Sequence, residues 1–171
     1  PGRQICFLNQ PGYGGSPAGT TLTPATLDET CELLTARLPG RCDLLGWSSG
    51  ALLAIRCCAL FPQRFRRLIT VCGSPRFPQD PNWPGLPYRL VLRVLRNFTA
   101  SRHRKLLELF FRLQSDNPRY SPAVRAFIRE CRAAQAPVSF AVLRTGLEMT
   151  LHADLRADLA HLKLPRLHLF A

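Results

Sequence analysis

Acidic side chains are scarce in this sequence. Eleven Asp and Glu stand against 23 Lys and Arg, a formal net charge of +12 over 171 residues. Long apolar runs are missing as well. None reaches the ~18 residues that a membrane-spanning helix needs, so no span and no membrane partner are expected. No basic-then-apolar leader opens the chain and no Met stands first. The expectation is a fragment of a cytoplasmic protein. The seven cysteines include no C-x-x-C pair. Cys6, Cys42, Cys57, Cys58 and Cys72 sit in apolar runs, so they are expected to be small buried hydrophobes in a reducing compartment. A disulfide framework and a metal site are both excluded on that reading. A phosphate loop is absent too. There is no Gly-Lys-Ser/Thr, and Pro17 stands where the third glycine of G-x-G-x-x-G belongs. No cofactor is expected.

What is present is a core. Hydrophobic residues make up 46% of the chain, enough for one domain of this length. Gln4 to Leu8 forms a short apolar run that predicts a buried strand. Asn9 to Pro17 is a loop by its Gly and Pro content. A helix follows, with Thr23 as cap, Pro24 at its first position, and Leu27, Cys31, Leu34 and Leu38 on one face. Pro39-Gly40 ends it. Cys42 to Leu45 is a strand, Ala51 to Leu60 a helix apolar nearly all round and therefore buried, and Leu68 to Cys72 another strand. Strands alternating with helices predict a parallel sheet of the α/β class.

The order changes after Gly73. Residues 73–87 carry five prolines and no periodicity. Helical stretches then follow one another without a strand. Leu106, Leu107, Leu109, Phe110 and Leu113 mark one stripe; Val124, Phe127, Ile128 and Cys131 mark a second; a third helix is expected over 139–149. This predicts a helical insertion, a lid. A short helix over 157–162 and a strand over 166–170 resume the alternation. The charge is concentrated in the insertion: residues 88–132 hold eleven Lys and Arg against three Asp and Glu. Such asymmetry fits an anionic partner, or a solvated basic face.

Between the second strand and its helix stands Gly46-Trp47-Ser48-Ser49-Gly50. This resembles the G-x-S-x-G nucleophile elbow of α/β-hydrolases, a strand-to-helix turn tight enough to lift a serine hydroxyl clear of the sheet. Ser48 is the candidate nucleophile. The backbone N–H of Ser49 is a candidate oxyanion donor. Both flanking glycines are expected because a Cβ on either would clash across the turn.

A wider resemblance rests on several further stretches. Pro11-Gly12-Tyr13-Gly14-Gly15-Ser16 resembles a family P-G-[FY]-G-x-S loop. Leu68 to Phe77, Trp83-Pro84-Gly85, Phe110-Phe111-Arg112-Leu113-Gln114, Gly146-Leu147-Glu148 and Asp154-Leu155-Arg156 extend it over essentially the whole chain. The series is similar to the pimeloyl-acyl-carrier-protein methyl ester esterases of bacterial biotin synthesis. The resemblance implies an α/β-hydrolase fold, a mostly parallel sheet flanked by helices with a helical lid, and a serine–histidine–aspartate triad. It divides the chain into core over 1–75, lid over 76–145 and core again over 146–171. It makes Trp47, Ser49, Phe110, Leu113 and Gln114 substrate-binding residues. Arg102, Arg104 and Lys105 would contact an acidic acyl-carrier protein bearing the ester. No nucleic-acid partner is expected, since the basic segment holds no nucleic-acid motif, and the protein is expected to be monomeric.

There are departures. Ser49 and Ala51 stand where the family more often has Leu and Gly, and Asn9 replaces an Asp. His103, His152, His161 and His168 do not fit the family's base position. Asp154 and Asp158 are expected to be helix caps. The family's second oxyanion donor precedes the first strand seen here; its aspartate and histidine follow residue 171. The fold is therefore expected to be incomplete at both termini and the fragment inactive alone. The alternatives are another serine esterase, thioesterase or lipase of this fold, or a catalytically dead basic binding module.

Overall fold

A computed structural model describes residues 2, 4–14, 16, 26–115, 120–134 and 136–170. The first regular element is helix α1, Leu27–Ala36. Its start is fixed by a reciprocal cap: Thr26 Oγ1 accepts the Glu29 N–H at 3.2 Å and Glu29 Oε2 accepts the Thr26 N–H at 3.0 Å. The expected cap at Thr23 and first helical residue Pro24 lie outside the described residues. Strand β1, Cys42–Trp47, runs straight into helix α2, Ser49–Leu60. A 3-10 turn over Pro62–Arg64 leads to strand β2, Phe65–Val71.

Four helices follow: α3 over Tyr88–Asn97, α4 over His103–Ser115, α5 over Pro122–Ala133 and α6 over Phe140–His152. Helix α7, Arg156–His161, and strand β3, Arg166–Leu169, return the chain to the sheet. The three strands are parallel in the order β1-β2-β3, with Gly46 opposite Thr70 and Thr70 opposite His168. This is the core and helical insertion of the α/β-hydrolase fold. Helix α6 passes without a break through the expected core–lid border at residues 145 and 146.

The core lies on one face of the sheet. The composition of α2 dictates this: Leu52, Ile55 and Cys58 are all but sealed from solvent, and Phe65 and Leu68 of β2 join them. Helix α1 closes the layer with Cys31. Arg56 on α2 ties its neighbours together. Its Nε and Nη2 donate to Asp28 of α1 at 2.7 and 2.8 Å, and its Nη1 lies 3.1 Å from Asp158 of α7.

The insertion is amphipathic. In α3, Val91 is buried while Arg89, Arg93 and Arg96 are exposed along the opposite side. Arg144 of α6 donates from Nη1 to the carbonyls of Leu95 and Phe98, capping the end of α3. Phe98 stacks on Phe140 with ring centroids 5.9 Å apart. Ser121 and Ser139 cap α5 and α6, each accepting a backbone N–H three residues on. No helix among the described residues is long and apolar enough to cross a membrane.

Two expectations are corrected here. Residues 4–8 are not a buried strand: they form no regular element, and Ile5 and Phe7 are 75% and 91% exposed. An apolar run becomes a strand only with a ladder partner, and β1 pairs with β2 alone among the described strands. Cys6 consequently is exposed, and so is Cys72 in the turn after β2; Cys31, Cys57 and Cys58 are buried and Cys42 half-buried. All seven thiols are free.

Candidate functional site

The elbow is a single strained residue between two regular elements. Ser48 has φ 52° and ψ −121°, a backbone conformation that a side chain makes costly by about 1–3 kcal/mol. The neighbouring elements over-determine it. Its N–H donates to the Val71 carbonyl of β2 at 2.9 Å, and its own carbonyl accepts the Ala51 N–H at 2.9 Å. Its side chain makes no capping hydrogen bond to α2. The hydroxyl is thus held at the carboxyl end of β1, where ligands bind in open α/β sheets.

The residue after it opens α2. Ser49 is exposed, its N–H donates to no backbone carbonyl among the described residues, and the first turn carries no acid. The positive end of the helix is therefore free to face an anion. Trp47, the last residue of β1, is 63% exposed beside it. The two glycines are not equivalent, contrary to expectation. A Cβ at residue 46 would run into the Gly50 carbonyl, whereas one at residue 50 would meet nothing within 4 Å. Gly73 backs the turn from the far side: a Cβ there would collide with that of Ala51 and lie 3.2 Å from the Ser48 carbonyl oxygen.

The other expected site residues lie on the insertion. Phe110 and Leu113 of α4 are 53% and 71% exposed. The side chain of Gln114 is outside the described residues. Arg102 donates to Asn97 Oδ1 at 3.1 Å, and Arg104 and Lys105 are exposed in the first turn of α4. No hydrogen bond or ion pair joins α4 to the elbow among the described residues. Trp47, Ser48 and Ser49 come together by chain continuity, while Phe110 and Leu113 stand exposed on α4.

None of the histidines is recorded against Ser48. His103 Nδ1 lies 2.9 Å from the Ala100 carbonyl, with its ring beside Phe98 and Phe140. His161 Nδ1 lies 2.7 Å from the Ala157 carbonyl, and His152 is exposed at the end of α6. His168 Nδ1 lies 2.7 Å from Thr70 Oγ1 on the α2 side of the sheet, and burial there, then the nearby Arg166, lowers its pKa. A cavity of about 570 Å³ opens at that place, floored by Thr70 and His168 and walled by Phe77, Trp83 and Phe170. Ser48 is not among its lining residues. Among the described residues no cluster of three or more His, Cys, Asp or Glu could hold a metal ion.

Of the two aspartates expected as caps, Asp154 accepts the Arg156 N–H at the start of α7 at 3.3 Å, and both also act as ion-pair partners. Asp158 binds Arg56. Asp154 binds Arg76 and Arg156, and the Arg156 hydrogen bond, the first of several causes, brings its carboxyl down to about 2. Arg156 is two residues from Asp154, but Arg76 and Arg56 lie 78 and 102 residues from their aspartates, so the sequence offered no sign of those pairs. Tyr13, in the P-G-Y-G loop, is half-buried. The loop that holds it packs on α6, where a Cβ at Gly146 would come within 2.6 Å of its hydroxyl. Burial raises its pKa.

Comparison with known proteins agrees with this architecture. A sequence model described as the alpha/beta hydrolase family matches residues 2–169. Pimeloyl-[acyl-carrier protein] methyl ester esterase of Aeromonas salmonicida is 32% identical over 167 residues, covering 98% of this chain and 65% of that protein. The protein of the same description from Edwardsiella ictaluri is 34% identical, with 98% and 63% covered. The chain thus spans just under two thirds of these relatives' length. Among solved structures, an esterase from Exiguobacterium antarcticum superposes with a TM-score of 0.71 at 16% identity, covering 94% of this chain and 60% of that one. A hydrolase from Oleispira antarctica gives 0.67 at 15% identity, with 92% and 59% covered. These structural likenesses concern the fold. The expectation of a fragment truncated at both ends is not upheld by the family match, which runs from residue 2 to residue 169.

Proposed function

The chain belongs to the alpha/beta hydrolase family, and on that premise we propose that it is a serine ester hydrolase with Ser48 as nucleophile. The observation that carries the reading is the Ser48 backbone. A non-glycine residue at φ 52°, with its N–H and carbonyl both engaged and its side chain capping nothing, is strain with a purpose. Such a turn aims the hydroxyl at a bound carbonyl. A base would take the Ser48 proton as Oγ attacks, and the Ser49 N–H would hold the oxyanion. The alcohol would leave, and water would then cleave the acyl-enzyme. His103, His161 and His168 have other neighbours and His152 is exposed at the end of α6, so the base is not assigned to them.

A finer reading concerns the substrate. The relatives from Aeromonas and Edwardsiella are described as esterases of a carrier-borne pimeloyl methyl ester. The basic insertion supports a substrate of the same kind, an ester carried on an acidic protein and met by Arg102, Arg104 and Lys105. Trp47, Phe110, Leu113 and Gln114 would then contact the acyl chain. Seven free thiols suit a reducing, cytoplasmic setting, and the protein would act there as a monomer. The reading is tested by labelling with a fluorophosphonate and locating the modified residue.

A further inference from the structure

The helical insertion leaves the core at Pro75 and returns at Leu155, and these two points are bonded: the Leu155 N–H donates to the Pro75 carbonyl at 2.8 Å. Four charged side chains surround that bond. Arg76 Nη1 donates to Asp154 Oδ2 at 3.0 Å, and its Nε lies 3.2 Å from Asp80 Oδ2 as an ion pair without hydrogen-bond alignment. Arg156 forks onto Asp154, with Nε to Oδ1 at 2.9 Å and Nη2 to Oδ2 at 2.7 Å, and also meets Asp80 Oδ2 at 2.9 Å. Each cation touches both anions, so the cluster is closed and neutral. The Arg156 guanidinium lies over the Trp83 ring, 5.6 Å from its centroid, and Trp83 Nε1 donates to the Arg76 carbonyl at 2.9 Å.

A lone exposed ion pair stabilises little. A closed network with a bidentate fork and a stacked ring differs, because each member holds the others in place. Its location gives it a role. The outgoing segment doubles back on itself, with Leu86 N–H donating to the Phe77 carbonyl at 2.7 Å and Gln79 N–H to that of Leu86 at 2.9 Å. Three residues before Arg76, Gly73 lies against the Ser48 and Ala51 backbone. Beyond the neck, Arg144 and the Phe98–Phe140 stack join α3 to α6.

We propose that the Arg76–Asp80–Asp154–Arg156 cluster is the fulcrum of the insertion. It pins the two stems together beside the elbow, so that the helices beyond move as one body and the stems do not part. The wall formed by residues 73–76 then keeps its place against Ser48 whatever the insertion does. This inference is independent of the Ser48 reading, and its test reads no activity.

The test is amide hydrogen exchange on the full-length protein, comparing wild type with Arg156→Gln and Arg156→Lys. Loss of the fork should speed exchange at Leu155 on the returning stem and at Gln79 and Leu86 on the outgoing one together, by about tenfold or more. Amides of β1, β2 and α2 should keep their rates. Lysine, which keeps the charge without the fork or the stacked plane, should restore part of the protection. Sodium chloride at about 1 M should move the same wild-type amides in the same direction. If Arg156→Gln does not fold, Asp80→Asn, which opens the closed cluster while leaving the Asp154–Arg156 fork, should likewise speed exchange on both stems together. Faster exchange confined to the stem carrying the substitution would overturn the proposal. So would faster exchange spread evenly through the sheet.

Discussion

Gly46 of β1 lies so close to Gly50 of α2 that a Cβ on residue 46 would have the Gly50 carbonyl carbon at 2.7 Å and the Ala51 Cα at 2.8 Å. The relationship is one-sided, because a Cβ on residue 50 points into open space. Gly46→Ala must therefore push β1 and α2 apart, and it should lower the unfolding free energy by more than about 2 kcal/mol. Gly50→Ala fills no occupied space and lies in the first turn of a helix, so it should be neutral or stabilising by up to about 1 kcal/mol. Urea unfolding of the two variants checks both. Equal losses would mean that the turn is tight at both glycines.

The carboxylates bound to arginine make the fold sensitive to acid. A hydrogen bond from Arg56 holds Asp28 below its usual value, and one from Arg156 brings Asp154 to about 2. A carboxyl group whose pKa is lowered on folding adds stability above its unfolded value, near pH 4, and loses it as pH falls through the folded value. Asp154→Asn should thus flatten the loss of stability between about pH 4 and pH 2. At neutral pH, Arg56→Met should cost about 1 kcal/mol, a modest figure because Asp28 is partly solvated. Thermal unfolding across that pH range gives the slopes. An unchanged slope in Asp154→Asn would show that its ion pairs do not persist in solution.

The histidine beside Thr70 should matter for stability and not for the chemistry. Burial lowers the His168 pKa, so the neutral ring is favoured in the fold. Its stability contribution is complete above the unfolded value of ~6.5 and declines as pH falls below it. His168→Gln should remove that part of the acid slope and leave the pH profile of ester hydrolysis where it was. A displaced profile would mean that His168 takes part in proton transfer.

Much of this was legible in the sequence, for reasons that differ from residue to residue. The elbow was visible because a strand, a small-residue turn and an all-apolar helix are local features, and β1 and α2 follow them. Helices α4 and α5 were visible from their stripes and α6 from the stretch over 139–149, whereas α3, Tyr88–Asn97, was not foreseen. Residues 4–8 misled because apolarity signals burial only when a neighbouring strand is there to pair. Thr26-x-x-Glu29 was a local cap signal that the more conspicuous Thr23-Pro24 concealed. The clusters around Arg56 and Arg156 were illegible as clusters because they join distant segments, Asp28 with Asp158 and Arg76 with Asp154; only the Asp154–Arg156 and Arg76–Asp80 pairs are local.

Charge on the insertion should matter for one kind of substrate only. Arg104 and Lys105 are exposed at the start of α4, with Arg102 just before them. If an acidic carrier presents the ester, charge reversal at these three positions should lower kcat/KM for the carrier-borne ester by about tenfold or more, and spare a small free ester. The wild-type rate on the carrier-borne ester should also fall with salt. Equal losses on both substrates would point to a disturbed lid instead.

The most direct measurement is made at Ser48. The full-length protein is treated with a fluorophosphonate, the modified peptide is identified by mass spectrometry, and turnover of a p-nitrophenyl ester is compared with that of Ser48→Ala. The account predicts phosphonylation of Ser48 alone, no labelling of the alanine variant, and a fall in turnover of about 10⁴-fold or more. Undiminished hydrolysis by Ser48→Ala, or labelling at another serine, would contradict it.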